Sequence, residues 1–292
     1  MPVIADLHSN PALFIAIMAC LGLMMGSFHN VVIHRLPIMM ERDWREQCRE
    51  LMGLENAPNA SGARYDLVFP RSQCPHCGHR IGVLENIPLL SYAALGGKCR
   101  ACRAKISLRY PLVELLSAFL AGVVAWRFGF AWQAAGAALL SWALIGLSAI
   151  DFDQRLLPDA ITLPVLWLGL LLNLLGVYTD LQSAVVGAMA GYLSLWSVYM
   201  LFKLFTGKEG MGHGDFKLLA MLGAWMGWQV LPLVVVLSSV VGAVVGTVWI
   251  VFRVRERTAP IPFGPYLAAA GWIALLWGEW VTQTYLQWAA GA

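Results

Sequence analysis

Eight separate apolar runs dominate this sequence and constrain its fold more than any other feature. A helix that crosses a bilayer needs about 17 to 25 predominantly apolar residues. Seven runs reach that length and the sixth is shorter; they cover residues 11–33, 111–128, 132–150, 160–178, 184–204, 216–228, 231–252 and 262–280. With 59% hydrophobic and 13% charged residues, the composition excludes a soluble globular enzyme. The sequence therefore predicts an all-α polytopic membrane protein with about eight transmembrane helices.

The lysines and arginines predict how these helices are oriented. Short loops rich in Lys and Arg favour the cytoplasmic side of a membrane. The segment 34–110 holds twelve of the twenty Lys and Arg residues, so we expect it in the cytoplasm. Counting spans onward places the other basic loops, at Arg155, 203–217 and 253–257, on the same side. The first run lacks a basic N-terminal region, which favours a retained helix over a cleaved signal peptide.

Two aspartates interrupt the apolar sequence where they can serve chemistry. Asp151 ends one apolar run, and Asp215 opens the short run within the stretch GMGHGDFK. Ionisable residues within or beside membrane helices are rare and usually functional. The span count places both at the same membrane face, and Gly210, Gly212 and Gly214 permit backbone torsions that other residues resist. We therefore expect this turn to bring the two carboxylates together.

Such a carboxylate pair has the chemistry of an aspartyl protease. One ionised carboxylate draws a proton from water while its protonated partner donates to the scissile carbonyl oxygen. Like charges a few ångströms apart keep one proton shared between them. Neither carboxylate suffices alone, and the sequence does not say which is the base and which the acid.

Each aspartate also has a structural interpretation. Asp151 or Asp153 could be a solvated charge at a helix end, and Asp159 precedes an apolar run as a helix N-cap would. For Asp159 we favour the capping interpretation, whereas for Asp153 the structural and the functional interpretation both stay open. For Asp215 the three glycines and the flanking Lys217 favour a function, because a cap requires neither.

Four cysteines in the predicted cytoplasmic segment have metal-site spacing. Cys74 and Cys77 form CPHC, and Cys99 and Cys102 form CRAC, with 21 residues between the pairs. Four thiolates can hold Zn²⁺ in a tetrahedron, and the bonds supply folding energy that a short loop lacks. Two disulfides are the alternative, which a reducing cytoplasm disfavours. The pattern predicts a small zinc-ribbon-like loop domain without an open catalytic position, and the nearby histidines are not expected to be ligands.

Seven sequence blocks carry a resemblance that covers almost the whole chain. They are GSFHNVVIHRLP from Gly26, CPHC from Cys74, ENIPLLSY from Glu85, GGKCRACRAKISLRYPLVE from Gly96, IDFDQRLLPD from Ile150, GMGHGDFKLLAMLGAW from Gly210 and PIPFGPYLA from Pro260. In this order they resemble the bacterial type IV prepilin peptidases, which are leader peptidases and N-methyltransferases. The resemblance implies that the family's catalytic pair falls on Asp151 and Asp215, the latter in its GxGD signature, with Asp153 and Asp159 in support.

The resemblance also implies the substrates and the second activity. Prepilins and pseudopilins would be cut after a glycine, commonly before phenylalanine, and the new N-terminal amine would be methylated from S-adenosylmethionine. The sequence has no dinucleotide fingerprint or phosphate loop, and no soluble-type fold for the donor can be recognised. We expect the methyl-transfer residues in the cytoplasmic segment, at Glu85, Gly97 and Lys98. No nucleic-acid partner is expected.

Two other function classes are open at this point. A transporter also places acidic residues inside a helix bundle as proton relays, but it usually has internal repeats, and none is found here. A zinc-containing membrane scaffold would explain the cysteines but not Asp151 and Asp215. Cleavage that survives substitution of both aspartates would favour the scaffold.

The predicted organisation has three parts. Residues 1–33 form the first transmembrane helix, 34–110 a cytoplasmic zinc-binding and methyltransferase loop, and 111–292 a transmembrane aspartyl peptidase core. We expect the protein in the bacterial inner membrane, in contact with the lipid bilayer. The active site and the cysteine loop would then face the cytoplasm.

Overall fold

The computed structural model describes residues 7–53, 64–208, 210–252 and 262–289. Within these ranges the chain is almost entirely helical, which confirms the predicted all-α class. The basic loop at 253–257 and the first two residues of the block that starts at Pro260 lie outside them. The helices are α1 (Pro11–Leu51), α2 (Leu90–Ala94), α3 (Arg109–Phe128), α4 (Trp132–Gln154), α5 (Asp159–Leu174), α6 (Leu181–Thr206), α7 (His213–Met226), α8 (Leu231–Val251) and α9 (Gly264–Ala289).

Five helices among the described residues are long and apolar enough to cross a membrane, which supports a multi-pass membrane protein. They are α1, α3, α4, α6 and the stretch Trp228–Trp249, which contains most of α8. Helices lie at all eight predicted positions, but the count of eight spans is not confirmed. Helix α5 has 16 residues, α7 has 14, and α9 is not among the five. A short helix such as α7 can be apolar because protein, rather than lipid, surrounds it.

The chain divides into two compact units, residues 1–126 and 127–292. Helix α1 of the first unit has 41 residues and is therefore about 61 Å long, twice the thickness of a hydrocarbon core. It packs on α3 through two glycines: a Cβ on Gly22 would lie 2.6 Å from Ala118 Cα, and one on Gly26 would lie 2.5 Å from Glu114 Cα. Small residues four apart allow such close approach of membrane helices. The predicted three-part division stays a prediction.

The second unit is built around helix α7, which α5, α6 and α9 contact and which is almost fully buried. Helix α6 approaches it backbone to backbone. A Cβ on Gly191 would lie 2.6 Å from the Leu219 carbonyl oxygen, and one on Gly187 or Gly223 would overlap the facing backbone. As between α1 and α3, small residues at the contact let the two helix backbones approach each other closely. This contact fixes the position of α7, the helix that carries Asp215.

One buried side chain holds the opposite end of α7. Asn173 of α5 donates from Nδ2 to the carbonyl oxygens of Ala224 and Trp225, each at 2.9 Å. Its Oδ1 accepts from the backbone N–H groups of Tyr178 and Thr179 at 3.0 and 3.1 Å. Both ends of the amide are satisfied, as a buried polar group requires. Helix α7 therefore cannot slide along its axis without breaking these bonds.

Candidate active site

Asp151 lies in the last turn of α4, and its side chain is turned into the second unit, with 5% of its surface exposed. Its Oδ2 accepts a hydrogen bond from the backbone N–H of Gly264 at 3.0 Å. Gly264 is the first residue of α9, where unsatisfied N–H groups favour an anion. A Cβ on Gly264 would lie 2.6 Å from the same oxygen, so only glycine fits this contact.

Asp215 lies in the first turn of α7 and is 7% exposed. The glycines around it were expected to supply unusual backbone torsions, and this explanation is wrong. Gly212 is extended, with φ −77° and ψ 143°, and neither Gly210 nor Gly214 has positive φ. Gly210 and Gly214 instead allow close packing: a Cβ on Gly214 would lie 2.7 Å from Leu157 Cβ, and one on Gly210 would lie 2.8 Å from the Phe202 ring.

The structure brings the two predicted catalytic aspartates together. The charge of Asp151 acts on the carboxylate of Asp215. Leu157, in the loop after α4, connects their surroundings: it packs against Gly214 beside Asp215, and its Cδ2 lies 3.2 Å from a Cβ placed on Gly264. Two buried carboxylates in electrostatic contact can hold one proton between them, one ionised and one protonated. The pair therefore has the chemistry needed for general acid and base catalysis.

The two other aspartates of this region lie outside the buried pair. Asp153 is exposed at the end of α4. The predicted N-cap at Asp159 is wrong: Pro158 occupies the N-cap position, and Asp159 is the first helical residue. The Asp159 carboxylate instead accepts from Lys217 Nζ at 2.8 and 2.6 Å. As the first residue of α5, Asp159 still places a negative charge at the positive end of that helix's dipole.

The Asp159–Lys217 ion pair joins α5 to the turn that carries Asp215, and we expect it to position that turn. Lys217→Asp should lower peptide cleavage by the aspartate pair about tenfold, since two acidic groups then face each other. The double variant Asp159→Lys, Lys217→Asp should recover most of this loss. Both partners are partly exposed, so the coupling should not exceed about 1 to 2 kcal/mol. Cleavage rates of wild type, Asp159→Lys, Lys217→Asp and the double variant measure it; losses that simply add in the double variant would contradict a positioning role.

The four predicted metal ligands converge in the first unit. The Sγ atoms of Cys74, Cys77, Cys99 and Cys102 all lie within 4.8 Å of one another. Cys74 and Cys102 are 3.8 Å apart, and Cys77 and Cys99 are 4.0 Å apart. Tetrahedral Zn–S bonds of 2.3 Å place the sulfurs about 3.8 Å apart, whereas a disulfide requires about 2.05 Å. The thiols therefore fit a zinc ion and do not form the alternative disulfides.

The two cysteine pairs lie on matching turns, which we call the knuckles. The Cys74 N–H donates to the His79 carbonyl oxygen at 2.9 Å, and the Cys99 N–H donates to that of Ala104 at 2.8 Å. The backbone N–H groups of His76 and Cys77 point at the Cys74 sulfur and lower its pKa to about 7. Such donors also lower the pKa of Cys99 and favour the thiolate, the form that binds a metal, at both positions, whereas burial and the neighbouring thiols raise the pKa of Cys77.

The three residues predicted for methyl transfer have structural contacts around the knuckles. Glu85 Oε2 accepts from Gly82 N–H and pairs with His79 Nε2, both at 3.1 Å, and its Oε1 accepts from Arg100 at 3.3 Å. It thereby links the two knuckles, and His79 is paired rather than metal-facing. Gly97 has φ +67°, a torsion that favours glycine, while Lys98 is exposed. A role in methyl transfer stays a prediction for all three.

Two family models match this chain, and their boundary falls close to that between the compact units. The bacterial peptidase A24 N-terminal domain matches residues 20–128, and the type IV leader peptidase family matches residues 138–247. The second match contains both buried aspartates, and the first contains all four clustered cysteines. The chain belongs to the type IV leader peptidase family.

Curated relatives from this family extend the match to nearly the whole chain. A protein of Stutzerimonas stutzeri is 61% identical over 283 residues, 97% of each chain. Proteins of Pseudomonas aeruginosa and Aeromonas salmonicida are 60% and 57% identical, over 99% and 96% of each chain. All three carry the name prepilin leader peptidase/N-methyltransferase. No solved structure matches this chain at a significant level.

Several residues that shape this leader peptidase site were not predicted. The glycines Gly187 and Gly191 carry a sequence signal that could have found them, since small residues four apart predict close helix packing. Gly264 lies within a block that showed the resemblance, but nothing in the sequence pairs it with Asp151. Leu157 carries no signal, because an apolar residue in a loop beside apolar helices is unremarkable.

We expect this leader peptidase to contain one zinc ion per chain, held by the four cysteines. Cys99→Ser should lose the metal and leave the loop around the knuckles open to proteolysis, because the bonds to zinc contribute its folding energy. Elemental analysis of the purified protein and limited digestion measure both effects. Cys48→Ser is the matched control, since Cys48 is exposed and outside the cluster. Unchanged zinc content in Cys99→Ser would contradict the site.

Proposed function

We propose that this protein removes the leader peptide of type IV prepilins and pseudopilins and then methylates the new N-terminal amine. The observation that carries the peptidase half is the burial of Asp151 and Asp215, from α4 and α7, close enough for the charge of Asp151 to act on the Asp215 carboxylate. The names of relatives that are about 60% identical over nearly full length support both halves. The shared name of these relatives favours this function over the transporter and the scaffold.

Peptide cleavage by this pair requires one proton acceptor and one proton donor. One carboxylate takes a proton from the attacking water, and the other donates to the oxygen or nitrogen of the scissile peptide. The Gly264 N–H holds the Asp151 carboxylate in place. Gly212 leaves one side of Asp215 open: a Cβ there would meet, among the described atoms, only Asp215 Oδ2 at 3.8 Å. A substrate backbone can approach the pair along this side.

The second activity and the metal belong to the first unit in this proposal. Cys74, Cys77, Cys99 and Cys102 would hold a structural zinc ion, and S-adenosylmethionine would supply the methyl group. The membrane helices place the enzyme in a bilayer, where its substrates also carry an apolar helix. The twelve basic residues of 34–110 support an inner-membrane orientation with this segment and the aspartates at the cytoplasmic face.

Product analysis tests both halves at once. The purified, detergent-solubilised protein is incubated with S-adenosylmethionine and a prepilin that has a Gly-Phe junction, and the products are identified by mass spectrometry. Loss of the leader and the addition of one methyl group to the new N-terminus are expected. An intact prepilin in the presence of folded enzyme would overturn the proposal.

A further inference from the structure

The first unit contains a buried carboxylate that the peptidase mechanism does not use. Glu114 lies in α3, one to two turns from its start, and is 9% exposed. Its Oε2 accepts from the backbone N–H of Leu89 at 2.9 Å, and the Ser27 side chain provides a second interaction. Among the described residues, no Lys or Arg side chain pairs with it. A buried carboxylate without a cation is costly, so the missing partner requires an explanation.

A further polar atom nearby has no hydrogen-bond partner in the described part of the chain. The Ser117 side chain is fully buried, and its Oγ is unpaired. A Cβ on Gly26 would lie 2.5 Å from Glu114 Cα and 3.1 Å from Ser117 Oγ, so Glu114 and Ser117 both lie where α1 contacts α3. Unpaired buried polar atoms are rare in native proteins and often mark an absent ligand or water.

The backbone that faces Glu114 is held in an unfavourable conformation. Leu89 has φ +57° and ψ −46°, a region that residues with a Cβ seldom adopt. This torsion presents the Leu89 N–H to the Glu114 carboxylate. Strained backbone of this kind clusters at ligand-binding sites and switches. Leu89 belongs to the segment that connects the two cysteine knuckles, so Glu114 also ties that segment to a membrane helix.

We propose that Glu114, together with Ser27 and Ser117, forms a binding site for a cation of the methyl-transfer reaction. That cation is either the ammonium group of the newly exposed N-terminus or the sulfonium group of the methyl donor. This inference rests on the proposed methyltransferase activity and adds Glu114 to the residues that would serve it. It differs from the sequence prediction, which placed methyl transfer at Glu85, Gly97 and Lys98.

The chemistry of the reaction makes a buried carboxylate useful. The ammonium nitrogen first gives up a proton to solvent. The neutral amine then forms a bond to the methyl carbon, the carbon–sulfur bond breaks with its electron pair going to sulfur, and the methylated ammonium is the product. Both reactants carry positive charge before these steps, whereas the thioether product S-adenosylhomocysteine has no charge on sulfur. A desolvated carboxylate attracts the cationic reactants more strongly than water would and does not hold the neutral thioether.

The Glu114→Gln variant separates charge from structure. A glutamine oxygen can still accept from the Leu89 N–H, so the contact between the loop and α3 is kept while the charge is removed. We expect zinc content to be unchanged, leader cleavage to stay within about twofold of wild type, and methylation of a peptide that already begins at phenylalanine to fall by about 30-fold or more. Glu279→Gln, an exposed change in α9, is the matched control and should leave both activities unchanged.

Binding measurements identify which cation is held. If the sulfonium is the ligand, Glu114→Gln weakens calorimetric binding of S-adenosylmethionine and leaves that of S-adenosylhomocysteine unchanged. If the ammonium is the ligand, binding of both is unchanged and KM for the peptide rises. Methylation by Glu114→Gln at the wild-type rate would overturn the inference. Joint loss of zinc, cleavage and methylation would also overturn it, because such a result would mean that Glu114 only holds the structure together. Failure of the wild-type protein to methylate would instead overturn the proposed function.

Discussion

Asp151→Asn and Asp215→Asn should each abolish leader cleavage. An amide cannot accept the proton of the attacking water or donate one to the scissile peptide, and loss of general acid or base catalysis lowers rates by about 10²- to 10⁴-fold. The two side chains are similar in size and polarity, so the Gly264 N–H can still donate to residue 151 and packing is preserved. Leader release from a prepilin, followed by mass spectrometry, measures the loss.

Asp153→Asn is the matched control for this pair. The same chemical change is made two residues from Asp151, on a side chain that is exposed rather than buried. We expect cleavage within about threefold of wild type, since solvent already screens this charge. Undiminished turnover in Asp215→Asn would overturn the assignment, and equal loss in all three variants would show that the helix end, rather than the buried pair, is sensitive.

Gly223→Ala should have the second-largest effect, although it adds a single methyl group. The new Cβ would overlap the Gly187 carbonyl oxygen of α6, and backbone atoms cannot move aside as a flexible side chain can. We expect a loss of about 3 kcal/mol of stability, at the upper end for overpacking. Helix α7 must shift to relieve the overlap, and a displacement of about 1 Å at a catalytic group costs about 10²-fold in rate. Thermal unfolding in detergent and leader cleavage measure the two effects.

Gly122→Ala provides the comparison for that substitution. Gly122 also lies within a helix, but the nearest atom to a Cβ there is Ile15 Cγ2, at 3.9 Å. Alanine is the better helix former by about 1 kcal/mol, so this variant should be as stable as wild type or slightly more stable. Equal destabilisation by the two changes would show that helical glycine itself, rather than the α6–α7 contact, is required.

The sequence was sufficient to predict the features that depend on composition and spacing. Apolar runs predicted helices at eight positions, and helices lie at all of them. Asp151 and Asp215 were predicted because a carboxylate among apolar residues is costly, and the structure buries both. The cysteine pairs were predicted because zinc requires four sulfurs at short range, and their Sγ atoms do converge.

The features that the sequence did not predict depend on which groups meet in space. Apolar runs report hydrophobicity rather than contact with lipid, so the sequence did not show that the short α7 is mostly buried by other helices. Gly214 was assigned a backbone role, but its actual constraint is the side chain of Leu157. Asp159 was predicted as a cap because Pro158 was not recognised as the N-cap residue, and its partner Lys217 lies 58 positions away.

Methylation by the Asp215→Asn variant tests most directly whether one chain carries two separable activities. The variant is given S-adenosylmethionine with either an intact prepilin or a peptide that already begins at the phenylalanine, and the masses of both are followed over time. We expect the intact prepilin to remain uncut and the shorter peptide to gain one methyl group at the wild-type rate. Cleavage of the prepilin, or failure to methylate the shorter peptide when wild type succeeds, would contradict the separation.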